Sequence, residues 1–250
     1  SYGKAPGFVK NPSKVIEFEA SPRRIRINFN GSIIVDSTNV MLMREGGHVP
    51  VLYFPVDDVR MDLFVSTDHK THCGYKGVAS YWTLSVGDRT EKNIMWAYLN
   101  PYDEMQSIKN YVALYWDRVD EWWEEDEQIF GHARDPHKRL DTVLSHRPVK
   151  IFLGGEVVAE TTNAIFAFEG NHPLRFYIPQ VDVQMTLLKL TGTKSVCPYK
   201  GRASYFSAII NGKVSASYTH LRAHETREDL VFRCLLEKKK WGGGGGGGGV

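Results

Sequence analysis

The chain has 250 residues, room for one or two domains, with 42% hydrophobic and 24% charged residues, an ordinary soluble composition. No apolar run approaches the ~20 residues that a membrane-spanning helix needs, and no charged-then-apolar signal pattern opens the chain. The net charge of +2 is carried by the last stretch: without the six basic and four acidic residues of 217–250, 25 of each sign remain. That balance excludes a strongly basic nucleic-acid surface.

Residues 1–23 hold Gly, Pro, Lys and Ser around one apolar patch, Val15-Ile16-Glu17-Phe18, and read as a mostly extended arm. Arg24 to Asp36 alternates apolar and polar residues around Asn30-Gly31, a hairpin signal. Val40 to Met43 reads as a buried strand that ends at Arg44-Glu45-Gly46-Gly47-His48. Val51 to Phe54 is another strand, stopped by Pro55. Asp57 to Phe64 is short and mixed. The loop Cys73-Gly74-Tyr75-Lys76-Gly77 follows, then a strand from Ala79 to Val86. A helix is predicted over about 103–117, because Met105, Ile108, Val112 and Tyr115 recur at helical spacing and Asp103-Glu104 favour its N-terminus. Residues 132–148 are polar and proline-bounded, and read as an interdomain link.

Much of this text is written twice, 124 residues apart. Thr38-Asn39 falls on Thr162-Asn163, Glu45-Gly46 on Glu169-Gly170, and His48 on His172. Cys73-x-Tyr75-Lys76-Gly77 falls on Cys197-x-Tyr199-Lys200-Gly201. Roughly twenty identities in about sixty gapless positions mark a true repeat, and its period is too long for a solenoid. The expected fold is mainly β: two tandem small domains, 24–131 and 149–216, each a coiled sheet, sandwich or barrel-like, with one helix per complete repeat. The second copy ends before the counterpart of that helix and is expected to be truncated. From Ser217 onward the text resembles a translated transposase-type sequencing adapter, ending in Lys238–Lys240 and Gly242–Gly249. Ser217–Val250 is therefore expected to be non-native read-through. One cysteine per copy is a poor disulfide framework and suits a reducing cytoplasm.

The series Phe54-Pro55, Asp58-Val59-Arg60-Met61-Asp62-Leu63, Thr67-Asp68-His69 and Thr71-His72-Cys73-x-Tyr75-Lys76-Gly77-x-Ala79-Ser80-Tyr81-Trp82 resembles the bacterial family known as domain of unknown function 427. The likeness continues through Tyr115-Trp116-Asp117-Arg118 and His132…Arg134-Asp135-Pro136 and into the second copy. It implies a small β-rich domain, often in tandem, and its short name implies a nucleotidyl-transferase type. The second copy departs from it, with Gln184 for Arg60 and Thr186 for Asp62.

Several residue sets invite chemistry. Cys73 and Cys197 lie near Lys76 and Lys200, which would favour a thiolate nucleophile; the alternative is a small half-buried residue at a turn. Lys76-Gly77 and Lys200-Gly201 could meet an anion, although the P-loop spacing is absent. Glu45 with His48, and Glu169 with His172, form a plausible acid/base pair at a loop. A metal site from His69, His72 and Cys73 is not expected, because the second copy keeps only the cysteine. The favoured reading is a binding or accessory module, with a small-molecule pocket in each copy. Glu45, Tyr53, Asp58, Cys73, Tyr75, Lys76, Gly77 and Tyr81 would line the first. Glu169, His172, Tyr177, Asp182, Cys197, Tyr199, Lys200, Gly201 and Tyr205 would line the second. The competing reading is group transfer in the first domain, with Asp58 and Asp62 holding Mg²⁺ and Lys76 on a nucleotide phosphate. A third is a structural interaction domain whose aromatics meet a partner. The expected partners are a small molecule or nucleotide, with neither nucleic acid nor membrane.

Overall fold

The computed structural model describes residues 3–170, 172–210, 213–214, 221–225 and 230–234, with side chains through Ile209. The chain divides into two compact units, 1–135 and 136–250.

In the first unit a short helix, α1 (Pro6–Lys10), precedes β1 (Ile16–Ala20), β2 (Ile25–Phe29), β3 (Ser32–Ser37), β4 (Met41–Glu45) and β5 (Val51–Pro55). Next come β6 (Phe64–Cys73), β7 (Gly77–Val86), β8 (Arg89–Ala97), β9 (Tyr111–Leu114), β10 (Glu121–Glu124) and β11 (Glu127–Ile129). They form a seven-stranded antiparallel sheet, β1-β4-β5-β9-β8-β7-β6, and a four-stranded one, β11-β10-β2-β3. Both sheets are open. The hairpin turn between β2 and β3 uses Asn30 and Gly31 at φ 47° and 75°, the left-handed pair that this turn requires.

The large sheet is buried on both faces, and its side chains divide by the strand period of two. Leu42, Leu52, Phe54, Met95, Val112 and Leu114 join a core with Ile27, Phe29 and Trp122 of the small sheet. Their neighbours Met43, Tyr53, Trp96 and Ala113 point to the other face, with Ala79, Tyr81 and Tyr98. That second face is covered by Phe8 of α1 and by Met105 and Ile108.

Two expectations change here. The predicted helix over 103–117 is a 3-10 turn at Asp103–Ile108, then β9, then a 3-10 turn at Trp116–Arg118. Its apolar spacing serves both periods: Val112 is a strand residue of the core, while Met105 and Ile108 cap the opposite face. The arm is not simply extended either. β1 pairs with β4 from Ile16↔Glu45 to Ala20↔Met41, and Ala5 is fully buried.

The second unit repeats the plan. β12 (Leu140–Ser145), β13 (Val149–Leu153), β14 (Glu156–Thr161), β15 (Ala164–Glu169) and β16 (Arg175–Pro179) correspond to β1–β5, while β17 (Leu188–Cys197) and β18 (Gly201–Ile210) correspond to β6 and β7. β19 (Lys213–Val214) pairs with β18. The backbone strands β20 (Leu221–Glu225) and β21 (Leu230–Cys234) complete the order β12-β15-β16-β21-β20-β18-β17. They take the sheet positions of β8 and β9. Most of 217–250, read as adapter-like from the sequence, lies outside the described residues. The stretch 132–148, expected as a link, contains β12, which pairs with β15 along its length. β13 and β14 form a two-stranded sheet among the described residues.

Five of the six tryptophans lie in the first unit, so its unfolding can be followed by their fluorescence. Phe54 is fully buried, and Phe54→Ala is expected to cost that unit about 3–5 kcal/mol in urea denaturation. Val65 is 68% exposed, and Val65→Ala should stay within about 0.5 kcal/mol.

Candidate functional site

The Cys-x-Tyr-Lys-Gly stretch is the turn of the β6–β7 hairpin, with Cys73 opposite Gly77. Gly77 sits at φ 112°, and a Cβ there would come within 3.3 Å of the Asn100 carbonyl oxygen. The glycine therefore serves a close approach between the hairpin and residues 100–102. Tyr102 N–H donates to the Lys76 carbonyl there, and His72 Nε2 and Tyr102 OH share a 2.8 Å hydrogen bond.

The turn aims Lys76 inward. Only 9% of the residue is exposed, and its ammonium donates to Glu45 at the end of β4. Met43 Sδ lies 3.7 Å from Nζ, and the Tyr98 ring centroid 6.0 Å. Two motifs 31 residues apart in sequence thus become one buried ion pair. The second copy builds the same pair, with Lys200 donating to Glu169 at 2.5 Å. Glu169 also takes Lys138 at 2.8 Å and Arg175. Burial alone would raise its carboxyl, but hydrogen bonds from Lys138 and Lys200 outweigh that and hold it at about 2.

Tyrosines surround the pair in the first unit. Tyr53 is 1% exposed, and burial pushes its phenol, like that of Tyr98, well above the usual tyrosine range. Both therefore stay protonated. Tyr81 OH hydrogen-bonds Thr71 at 2.8 Å, as Tyr205 OH does Ser195 at 2.6 Å. Cys73 is half-buried at the edge of this cluster, and both Cys73 and Cys197 are free thiols.

The arm closes over the hairpin. Gly7 N–H donates to the Gly74 carbonyl at 2.8 Å, and a Cβ at Gly7 would strike the Tyr75 ring at 2.7 Å. Phe8 packs edge-on to Tyr75, and Lys14 lies 5.9 Å from the same ring. In the second unit Lys138 lies 5.0 Å from the Tyr199 ring. Lys14 and Lys138 are again 124 residues apart. Gly7, Pro12 and Lys14 match Gly131, Pro136 and Lys138, so the repeat begins upstream of where hairpin and strand patterns place it. That offset was the available signal for Lys14 and Lys138, and strand patterning does not register it.

Other expected site residues lie elsewhere. Asp58 accepts from Ser37 Oγ at 2.6 Å and Asn39 Nδ2 at 3.3 Å, and Asp182 accepts from Thr161 Oγ1 at 2.6 Å. Each fastens the 3-10 turn after the proline to the preceding hairpin. Asp62 forms an exposed pair with Arg60. Asp58 and Asp62 are thus engaged separately, and they do not make a magnesium site with Lys76. Among the described residues no three His, Cys, Asp or Glu side chains cluster as metal ligands. His48 joins Glu45 only by a backbone turn, and the side-chain partner of Glu45 is Lys76. His172 Nδ1 lies 2.9 Å from the Gly170 carbonyl oxygen. Tyr177 is half-buried in β16. Gly201 takes φ 85°, as the matching turn requires.

Beside Glu45 lies a cleft of about 570 Å³. Lys14, Arg44, His48, Glu17, Glu45 and Asp135 bring charges of both signs to its wall. Arg44 is committed to Glu17 at 3.1 Å, with Glu19 at 3.3 Å and Asp135 at 4.0 Å.

The family model NTP_transf_9, described as a domain of unknown function (DUF427), matches residues 17–125 and 141–227. A search of curated proteins found no match.

Removing one member of the buried pair strands a charge. Lys76→Met and Glu45→Leu are each expected to cost about 3–5 kcal/mol, while the double variant recovers most of that loss. A double-mutant cycle in urea measures it. For Glu169, the folded carboxyl ionises below its ordinary 4.5, so the stabilisation is full above that pH and disappears as pH falls from about 4.5 toward 2. Acid titration followed by hydrogen exchange in β15–β18 should show up to about 3 kcal/mol lost in that window, and Glu169→Gln should remove the slope.

Proposed function

The chain belongs to the family described as a domain of unknown function (DUF427), and on that premise we propose that it is a small-molecule-binding or accessory module. The observation that carries this is the mixed-charge cleft of the first unit, walled by Glu45, whose pairing with the hairpin-turn lysine both copies keep. Lys76 is already neutralised by Glu45, so a ligand would meet the charged groups of the rim. Lys14 and His48 would take an anionic group, and Glu17, half-exposed beside Arg44, would turn its second carboxylate oxygen to a hydrogen-bond donor. The ligand class is therefore a small polar molecule carrying both. Catalysis by Cys73 has no general base on it in the observed contacts, and Asp58 is bound up in a structural turn. A bacterial cytoplasm belongs to the same reading, supported by the unpaired thiol of each copy. No helix among the described residues is long and apolar enough to cross a membrane.

The test is thermal-shift profiling of the full chain against a panel of zwitterionic metabolites and of nucleotides with and without Mg²⁺. A ligand at 100 times its Kd adds about 2.7 kcal/mol, a rise of several degrees. A zwitterion is expected to raise Tm in the wild type, and Lys14→Ala with His48→Ala to abolish the rise. A shift seen only with Mg²⁺-nucleotide and lost in Asp62→Ala would replace this reading with group transfer. An unchanged Tm throughout would refute it.

A further inference from the structure

The repeat places one carboxylate in two different settings. In the second copy the Glu169 side chain is 2% exposed and both of its oxygens are taken. Lys200 and Arg175 donate to Oε2, and Lys138 donates to Oε1 at 2.8 Å. In the first copy the Glu45 side chain is 15% exposed and meets Lys76 through Oε1 alone. Its Oε2 has no partner among the described residues, yet it is not sealed from solvent. An ionised carboxylate offers about four acceptor positions, so Glu45 is underused where Glu169 is full.

Two positions account for the difference. Val51 pairs with Met43 in the register in which Arg175 pairs with Ala167, so the first copy has an apolar side chain where the second brings a guanidinium. Lys14 is the counterpart of Lys138, and each lies beside the tyrosine of its turn, at 5.9 Å from Tyr75 and 5.0 Å from Tyr199. Lys138 reaches the carboxylate, whereas Lys14 donates to the Gly46 carbonyl at 3.1 Å. Among the described residues no cation of the first copy stands where the Lys138 ammonium does. Glu45 there belongs to the wall of the cleft of about 570 Å³.

We propose that Glu45 Oε2 binds a primary ammonium group of the ligand, in the place that the second copy gives to its own Lys138. The second copy thus carries within its chain the cation that the first takes from solution. This inference rests on the reading of the cleft as a small-molecule site, and it orients the ligand: ammonium at Glu45, anionic group at Lys14 and His48. A second cation on Glu45 is within what this arrangement bears, since Glu169 holds three. The contact is a charge-assisted hydrogen bond, the kind that discriminates most sharply against a ligand lacking the donor.

The test is calorimetry on the full chain with γ-aminobutyrate, with butyrate, which lacks the ammonium, and with butylamine, which lacks the carboxylate. γ-Aminobutyrate and butylamine are expected to bind saturably, and butyrate about tenfold or more weakly than γ-aminobutyrate. Glu45→Leu with Lys76→Met removes the carboxylate together with the buried charge it answers, so the double variant should fold. In it γ-aminobutyrate should fall to the affinity of butyrate, and butylamine binding should disappear. Butyrate binding as tightly as γ-aminobutyrate, or full γ-aminobutyrate affinity in the double variant, overturns the Glu45 contact and leaves the cleft reading standing. Absence of γ-aminobutyrate binding also overturns the contact, and only silence of the whole zwitterion panel overturns the cleft reading with it. The comparison of the three ligands needs no variant, so it decides the question independently of how the double variant folds.

Discussion

The ion pair between the hairpin turn and the end of the fourth strand sets the terms for everything around it. A lysine ammonium that is nine-tenths buried is tolerable only with a carboxylate beside it. That requirement brings the β6–β7 turn onto β4, although β7 and β6 stand four and five positions from it in the sheet order. With the pair in place, tyrosines can crowd the same face, since their hydroxyls find partners such as Thr71. The arm then seals the turn through Gly7, where no larger residue fits against Tyr75. Loss of the pair would leave a charge inside an aromatic layer, so its chemistry is first structural. Any ligand must meet what it leaves exposed.

The copies use this pair differently. In the first, Glu45 has one cation, and Lys14 is turned to the Gly46 carbonyl and Tyr75, leaving a rim of both signs. In the second, Glu169 holds three cations, because Arg175 stands where the first copy has Val51. One more basic residue turns an open cleft into a latched cluster. The Asp58 and Asp182 clamps, by contrast, are alike in both, as expected of residues that hold a turn rather than a substrate.

Much of the fold was legible in sequence. The 124-residue repeat, the Asn30-Gly31 hairpin and the alternating strands depend on local rules that neighbouring residues satisfy by themselves. The helix over 103–117 was misread because Met105, Ile108 and Val112 fit a helical period while serving two faces of one sheet. Residues 140–145 looked like a link because an edge strand with polar neighbours has little hydrophobic signature of its own.

The candidate site was legible as a set of residue types and illegible as an arrangement. Glu45, His48, Lys76 and Tyr81 stand out because both copies keep them. Spacing alone favoured Glu45 with His48, three residues apart. The sequence by itself determined which residues recur, which face of each strand is apolar, and that two domains of one β-rich kind follow each other. Only the tertiary structure decided that Glu45 answers Lys76, that Asp58 serves Ser37, and that the arm belongs to the hairpin. Those choices depend on strand order, which places residues 31 or 67 positions apart within hydrogen-bond reach. No local propensity encodes such a distance.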